Sequence, residues 1–242
     1  MLSYKMFTSI GSRDVNEDSA ICLVAGGSFC FVVADGLGGH GKGEIASRLA
    51  VEAFRRQFEI SSDEAPRAFL EKAFNRAQET ILAEQARTNS RHGMKTTAVA
   101  LAAANGVYAW GHIGDSRLYL FRKNKLKMRT LDHSVPQMLA LSGEIKDKQI
   151  SGHPDRNRLL RAIGIEWEAN RYELSDEWPL SRNHAFLLCT DGFWEHIEEK
   201  KIRAYLKKSP VAGKWLEQMI EEVKKNGQGR DMDNNTAISV IW

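Results

Sequence analysis

A layered α+β architecture, antiparallel sheet at the core with helices outside, is the fold class this sequence predicts. Three observations carry it: strand-like apolar runs gather toward both ends of the chain, amphipathic helical stretches come in pairs, and no β-α-β alternation of a parallel doubly wound sheet is found. The 242 residues, 43% hydrophobic and 27% charged, suffice to bury a full core without disulfide staples.

From the N-terminus, residues 20–24 and 29–34 are two apolar runs joined by Gly26-Gly27, a hairpin that ends at Asp35. Residues 44–58 repeat apolar side chains at Ile45, Leu49, Ala53 and Phe58, and 65–86 do so with Phe69, Ala73, Ala77 and Ile81. These are two amphipathic helices, the second opened by Ser62-Asp63-Glu64 as an N-terminal signal. Strands at 96–104 and 107–113 flank Asn105-Gly106, the strongest two-residue hairpin signal, and strands at 117–122 and 126–130 flank Lys123-Asn124-Lys125, together an antiparallel meander. A poorly periodic region, 132–170, holds short helical pieces and His153-Pro154-Asp155, and its part at about 135–160 reads as a mobile flap. After a compact apolar run at 185–189 come helices at 200–208 and 212–225, a Gly227-Gln228-Gly229 break, and a last strand at 236–241.

Charge and cysteine content exclude several classes. The net charge is +3, from 34 basic and 31 acidic residues, with no basic block dense enough to serve nucleic acid or a lipid surface. Cys22, Cys30 and Cys189 are odd in number and embedded in apolar runs, which predicts buried thiols in a reducing cytoplasm. The start of the chain lacks a signal-peptide core, and the longest apolar stretch, 97–110, falls short of the roughly 20 residues that span a bilayer.

Aspartates stand in turn-like contexts beside apolar strands at Asp35-Gly36, Gly114-Asp115-Ser116, Thr190-Asp191-Gly192 and Asp231-Met232-Asp233. Any one alone is ordinary turn chemistry. Asp35 and Asp191 directly follow apolar runs, so their carboxylates belong at a sheet rim, where gathered acids repel unless a hard cation such as Mg(II) or Mn(II) compensates. The glycine-rich segment 36–43 satisfies parts of two nucleotide motifs and fails both. After G-x-G-x-x-G a second helix follows where a dinucleotide fold needs a strand, and after G-x-x-x-x-G-K stands Gly43 where a P-loop needs Ser or Thr. The glycines instead let backbone approach a metal, with the Gly36 carbonyl as a further oxygen ligand and His40 nearby. Upstream, Arg13 precedes the acid pair Glu17-Asp18, and an arginine fork matches phosphate oxygens.

Arg13 with Asn16-Glu17-Asp18, Asp35-Gly36-Leu37-Gly38-Gly39-His40, Thr96-Thr97-Ala98, Gly114-Asp115-Ser116-Arg117, Asp132-His133-Ser134, Thr190-Asp191-Gly192 and Asp233-Asn234-Asn235-Thr236 occur in this order nearly from end to end. In these motifs the chain resembles the metal-dependent protein serine/threonine phosphatases of type 2C, the PPM family, in their bacterial form. The resemblance implies one catalytic domain over 1–242, a β-sandwich of two antiparallel sheets flanked by helix pairs in four αββα layers. It implies two core Mn2+ or Mg2+ ions and a third, weaker one. Asp35 would bridge the core pair, the Gly36 carbonyl and Asp18 would serve one ion, Asp191 and Asp233 the other, and Asp115 with Asp191 the third. Glu17 is the alternative to Asp18, and Asp231 the alternative to Asp233. Arg13 would hold the phosphate and His40 would be the proton donor to the departing serine or threonine oxygen. Phosphorylated Ser/Thr proteins are the implied partners, with a cognate bacterial kinase opposing the enzyme, which would act as a cytoplasmic monomer.

Rival functions are weighed on residues. A cysteine-dependent phosphatase needs Arg six positions after its Cys, where Cys22, Cys30 and Cys189 have Ser28, Gly36 and Glu195. A catalytically silent binding module of the same fold would have lost acids that this chain keeps. A metal phosphatase for small phosphoesters uses the same chemistry and is the remaining alternative.

Overall fold

The run Phe29 to Ala34 is buried on both sides, and this sets the layering. Successive strand side chains point to opposite faces. Cys30, Val32 and Ala34 therefore face one apolar layer, while Phe29, Phe31 and Val33 face another. A strand covered on both faces is a continuous apolar run without alternation, which is how this segment looks in sequence.

The computed structural model describes residues 1–38, 42–90, 93–167 and 171–242. The elements are β1 (Ser3–Ser9), β2 (Asp18–Ala25), β3 (Ser28–Leu37), α1 (Lys42–Ser61), α2 (Pro66–Arg87), β4 (Lys95–Thr96), β5 (Ala98–Ala104), β6 (Val107–Ile113), β7 (Arg117–Arg122), β8 (Lys125–Arg129), α3 (Val135–Leu141), a 3-10 turn (Asp147–Gln149), β9 (Glu173–Leu174), β10 (Trp178–Pro179), β11 (His184–Cys189), α4 (Asp191–Trp194), α5 (Glu199–Lys208), α6 (Ala212–Gly227) and β12 (Asn235–Ile241). One sheet runs β1-β12-β11-β7-β8, the other β10-β6-β5-β3-β2 with β4 on β3 and β9 on β6, and the pairings are antiparallel. Phe29, Phe31, Val99, Leu101, Leu118, Phe186, Leu188 and Ile238 fill the space between the sheets. Helices α1 and α2 cover the second sheet through Ala46, Ala50, Phe54, Phe69, Leu70 and Phe74, and α5 and α6 cover the first through Ile202, Leu206, Trp215 and Met219. This is the four-layer α+β sandwich expected.

Four local expectations are corrected. The meander is split: the β5–β6 hairpin lies in one sheet and β7–β8 in the other, and residues 114–116 carry the chain across. Gly114 makes that crossing at φ +97, and a Cβ there would come within 2.5 Å of the Thr97 side chain. The first hairpin's second strand runs on past Asp35 to Leu37 because β4 extends the pairing at Gly36 and Leu37. Helix α2 starts from Ala65 without a side-chain cap, since Pro66, with no N–H to satisfy and its φ already helical, takes the first position. On α1 the buried stripe centres on Ala46, Ala50, Ala53, Phe54 and Gln57, with Ile45 and Leu49 on its flank, because small residues let the helix sit close to the sheet. The three cysteines are free thiols, with Cys30 and Cys189 buried and Cys22 half-buried.

A buried ion pair ties the crossing to the loop after β8. Arg117 at the start of β7 grips Asp132 with two bonds, 2.8 Å from Nε and 2.7 Å from Nη2, while its guanidinium stacks 3.4 Å over Trp194. No helix of the described residues is long and apolar enough to cross a membrane.

Candidate metal centre

The strands of both sheets deliver acids to one edge of the sandwich. Asp18 begins β2 and pairs in register with Asp35 near the end of β3. Asp115 sits in the crossing between β6 and β7, Asp191 follows β11 as the first residue of α4, and Asp233 precedes β12. Asp35, Asp115, Asp191 and Asp233, with Arg13, Glu17 and the Gly36 backbone, line one cavity of about 470 Å³. The structure thus brings together all but two of the site residues expected from sequence. Asp18 is 8% exposed and is not among the residues that line this cavity, although it sits opposite Asp35 in the β2–β3 pairing. His40 falls outside the described residues.

Main-chain bonds hold the carboxylates in place. The Asp35 N–H donates to Thr97 Oγ1 at 3.0 Å, and its carbonyl accepts from the Thr97 N–H at 2.9 Å and from Thr96 Oγ1 at 2.8 Å. Thr97 Oγ1 in turn meets Ser116 Oγ at 2.7 Å, which ties the Asp115 turn to the Asp35 strand. Asn234 acts as a keystone. Its Oδ1 accepts the Glu17 N–H at 2.8 Å, and its Nδ2 donates to the carbonyls of Ile10 at 2.8 Å and Val15 at 3.0 Å, fixing the N-terminal loop against the Asp233 loop. Asp233 accepts from the Asn234 N–H through Oδ1 and from Arg13 Nη2 through Oδ2, both at 2.8 Å. Gly36 permits a close approach: a Cβ would overlap the Gly43 carbonyl and come within 2.6 Å of the Glu17 carbonyl.

The electrostatics of this cluster are unfavourable for carboxylates by themselves. Burial, then repulsion from Asp18, Asp191, Asp115 and Asp233, pushes the Asp35 carboxyl well above its ordinary range. Burial and Asp191 do the same to Asp115, and burial and Asp233 raise Asp191. Asp18 is pushed up to about 7, chiefly by burial, against the lowering effect of the Thr236 and Thr190 hydroxyls. Its Oδ2 accepts from Thr190 Oγ1 at 3.0 Å, but its buried Oδ1 has no hydrogen-bond partner in the protein. Buried carboxyls this close repel one another unless a proton or a cation offsets their charge. Clustered hard oxygen donors, an orphaned carboxylate oxygen and mutual repulsion together fit divalent Mg(II) or Mn(II).

Between the two alternatives left open by sequence, the geometry differs for each pair. Glu17 reaches the cavity wall, but its Oε1 packs against Gly43 at the start of α1, where a Cβ would come within 2.7 Å of it. Asp231 is exposed and lines only a neighbouring cavity of about 250 Å³, whereas Asp233 lines both. Asn157 and Leu159, from the last part of the segment expected to form a flap, complete the main cavity wall. The base of that segment is tied by Val135 N–H to the Arg158 carbonyl at 3.0 Å and Leu160 N–H to the His133 carbonyl at 2.8 Å.

Sequence reasoning places Thr97 and Asn234 inside motifs but gives them no role, and it misses Thr190 as the partner of Asp18. A hydroxyl or amide adjoining an acid at a strand end is the signal that could have found all three. Among the described residues, the trio whose ligating atoms fall within 4.8 Å of one another is elsewhere: His112, His133 and Glu173.

Comparison with known proteins places this geometry in context. Residues 8–234 match the family described as Protein phosphatase 2C. The chain is 31% identical over 215 residues to the serine/threonine phosphatase stp of Listeria monocytogenes, covering 86% of this chain and 82% of that one. It superposes on the crystal structure of the Mycobacterium tuberculosis serine/threonine phosphatase PstP/Ppp with a TM-score of 0.86 at 30% identity, covering 99% and 98% of the two chains. The catalytic domain of PstP in complex with two manganese ions matches with a TM-score of 0.85 at 28% identity, covering 99% of this chain and 97% of that one.

Proposed function

Because this chain belongs to the protein phosphatase 2C family and is a metal-dependent protein phosphatase, we propose that it removes phosphate from phosphoserine and phosphothreonine at the acid-lined cavity. The observation that carries this reading is the convergence of Asp35, Asp115, Asp191 and Asp233 on one cavity with Arg13 at its rim. Asp18, with its unpartnered Oδ1, Asp35, Asp191, Asp233 and the Gly36 carbonyl would hold two divalent ions, Mn2+ or Mg2+. A third, weaker ion would fall to Asp115 with Asp191. When bound, such ions supply a nucleophile for in-line attack on phosphorus near neutral pH.

The chain's own residues do the rest. Arg13 has five N–H donors and spends Nη2 on Asp233, which aims the guanidinium across the cavity and leaves further donors for phosphate oxygens. The repulsion that lifts the carboxyl pKa values is relieved when divalent cations neutralise the gathered charge, which favours metal binding at Asp35 and Asp191. His40 is the proposed proton donor to the leaving alkoxide, supported by its place in the ordered motifs. Segment 135–160, whose end contributes Asn157 and Leu159 to the wall, would act as a flap tuning substrate choice. The opposing partner is proposed to be a bacterial Ser/Thr kinase or its substrates, met by a cytoplasmic monomer.

The test is hydrolysis of a phosphothreonine peptide by chelator-stripped protein titrated with manganese and magnesium. Turnover that depends on metal and is lost in Asp35→Asn is the expected result. Metal-independent turnover, or full activity in Asp35→Asn, would refute the assignment.

A further inference from the structure

His133 carries a role that the phosphatase reading leaves unassigned. It is 6% exposed, and it holds Gly114 by both backbone groups: Nδ1 accepts the Gly114 N–H at 3.1 Å, and the His133 N–H donates to the Gly114 carbonyl at 2.8 Å. Because Nδ1 is an acceptor, the proton of the neutral ring sits on Nε2, which faces Glu173 Oε1 at 3.1 Å. Glu173, on β9, thereby fixes the tautomer that lets Nδ1 receive the glycine N–H. His112 stacks on the ring at 4.6 Å and 14°, restricting its plane, while its own Nε2 donates to the Leu131 carbonyl at 2.8 Å.

A metal ion is a poor occupant for this trio. It would need the His133 Nε2 lone pair, and that nitrogen bears the proton. Arg161 Nη1 also lies 3.3 Å from Glu173 Oε1 and 3.2 Å from His133 Nε2, placing a positive charge where an ion would sit. The histidine is committed to the backbone.

The backbone it grips leads into the acid cluster. Gly114 is followed by Asp115, and Ser116 Oγ meets Thr97 Oγ1, which accepts the Asp35 N–H. One side of the Asp115 turn is held by the Asp35 strand and the other by His133. From this geometry we infer that His133, oriented by Glu173, is a positioning residue for Asp115, setting the affinity of the ion that Asp115 serves without touching that ion. The inference rests on the reading of Asp115 as the ligand of a third ion. It parallels the general behaviour of outer partners of metal ligands, whose loss costs about 10–100-fold in affinity.

The experiment is calorimetric titration of the chelator-stripped full chain with Mn2+, with thermal melts of every variant. In His133→Phe the weakest of three binding events should weaken by about 10–100-fold while the two tighter ones stay within about twofold. His133→Asn should restore it, because an amide oxygen at the same branch can accept the Gly114 N–H. Should His133→Phe fail to fold, Glu173→Ala, at a side chain 56% exposed, should weaken the same event alone. Unchanged titrations, or equal weakening of every event together with a lowered melting temperature, would overturn the positioning role. Asp115→Asn separates the two claims: loss of the third event there with none in His133→Phe refutes the inference alone. Three retained events in Asp115→Asn, or only two in the wild type, refute the Asp115 assignment and the inference with it.

Discussion

Replacing Asp18 by Asn in the metal-free protein should make it more stable, and by an amount that depends on pH. A rise in the carboxyl pKa from 3.8 to about 7 means that ionising Asp18 in the fold costs on the order of 4 kcal/mol at pH 8. Between about pH 4 and pH 7 the folded carboxyl keeps a proton that the unfolded chain has released, so stability falls as pH rises through that window and is flat above it. At pH 5 the same cost is only about 1.5 kcal/mol. The variant lacks this ionisation, whereas the altered bond to Thr190 Oγ1 contributes equally at both pH values. Its advantage over wild type should therefore grow by roughly 3 kcal/mol from pH 5 to pH 8, a change of about 6–12 °C in relative melting temperature for a chain of this size. The assay is thermal melting of chelator-treated wild type and Asp18→Asn at both pH values. A difference that does not change with pH would mean that Asp18 ionises freely in the fold, contrary to its burial.

Three more outcomes are expected. Asp132→Asn strips the charge from a bidentate pair whose side chains are 6% and 1% exposed, and should lower unfolding free energy by about 3–5 kcal/mol in denaturant titrations. Arg13→Ala should reduce kcat/KM for a phosphothreonine peptide by roughly 10²-fold in steady-state kinetics, with Mn2+ stoichiometry by calorimetry unchanged. His40→Asn should slow peptide hydrolysis by roughly 10²–10⁴-fold but affect p-nitrophenyl phosphate far less, because nitrophenolate leaves without a proton.

Much of the architecture was legible because it rests on local chemistry. Asn105-Gly106 adopts φ +53 and +77, as the predicted tight hairpin requires, and Phe69, Ala73, Ala77 and Ile81 all lie on the buried face of α2. The strand β1 was missed because it is an edge strand with exposed Tyr4, Lys5 and Met6, so no alternation marks it, and β9 and β10 are too short to show a period. Transfer of the chain between sheets at 114–116 is a tertiary event: hairpin signals fix which strands pair across a turn but not which sheet a hairpin joins. The acids of the cavity could be read from their strand-end positions. What could not be read is burial, since Glu17 and Asp18 are sequence neighbours yet Glu17 lines the cavity while Asp18 is buried and does not. The bond of Thr190 to Asp18 spans 172 residues and the clamp of His133 on Gly114 spans 19, so neither is visible in local spacing.

On the reading proposed above, Asp35, Asp191 and Asp233 hold the divalent ions of a phosphatase. Crystals equilibrated with Mn2+ and measured at the manganese absorption edge test it directly. Anomalous peaks are expected inside the cavity beside Asp35, two of them strong, and none at His112, His133 and Glu173. An empty cavity, or a peak at the histidine trio alone, would contradict it.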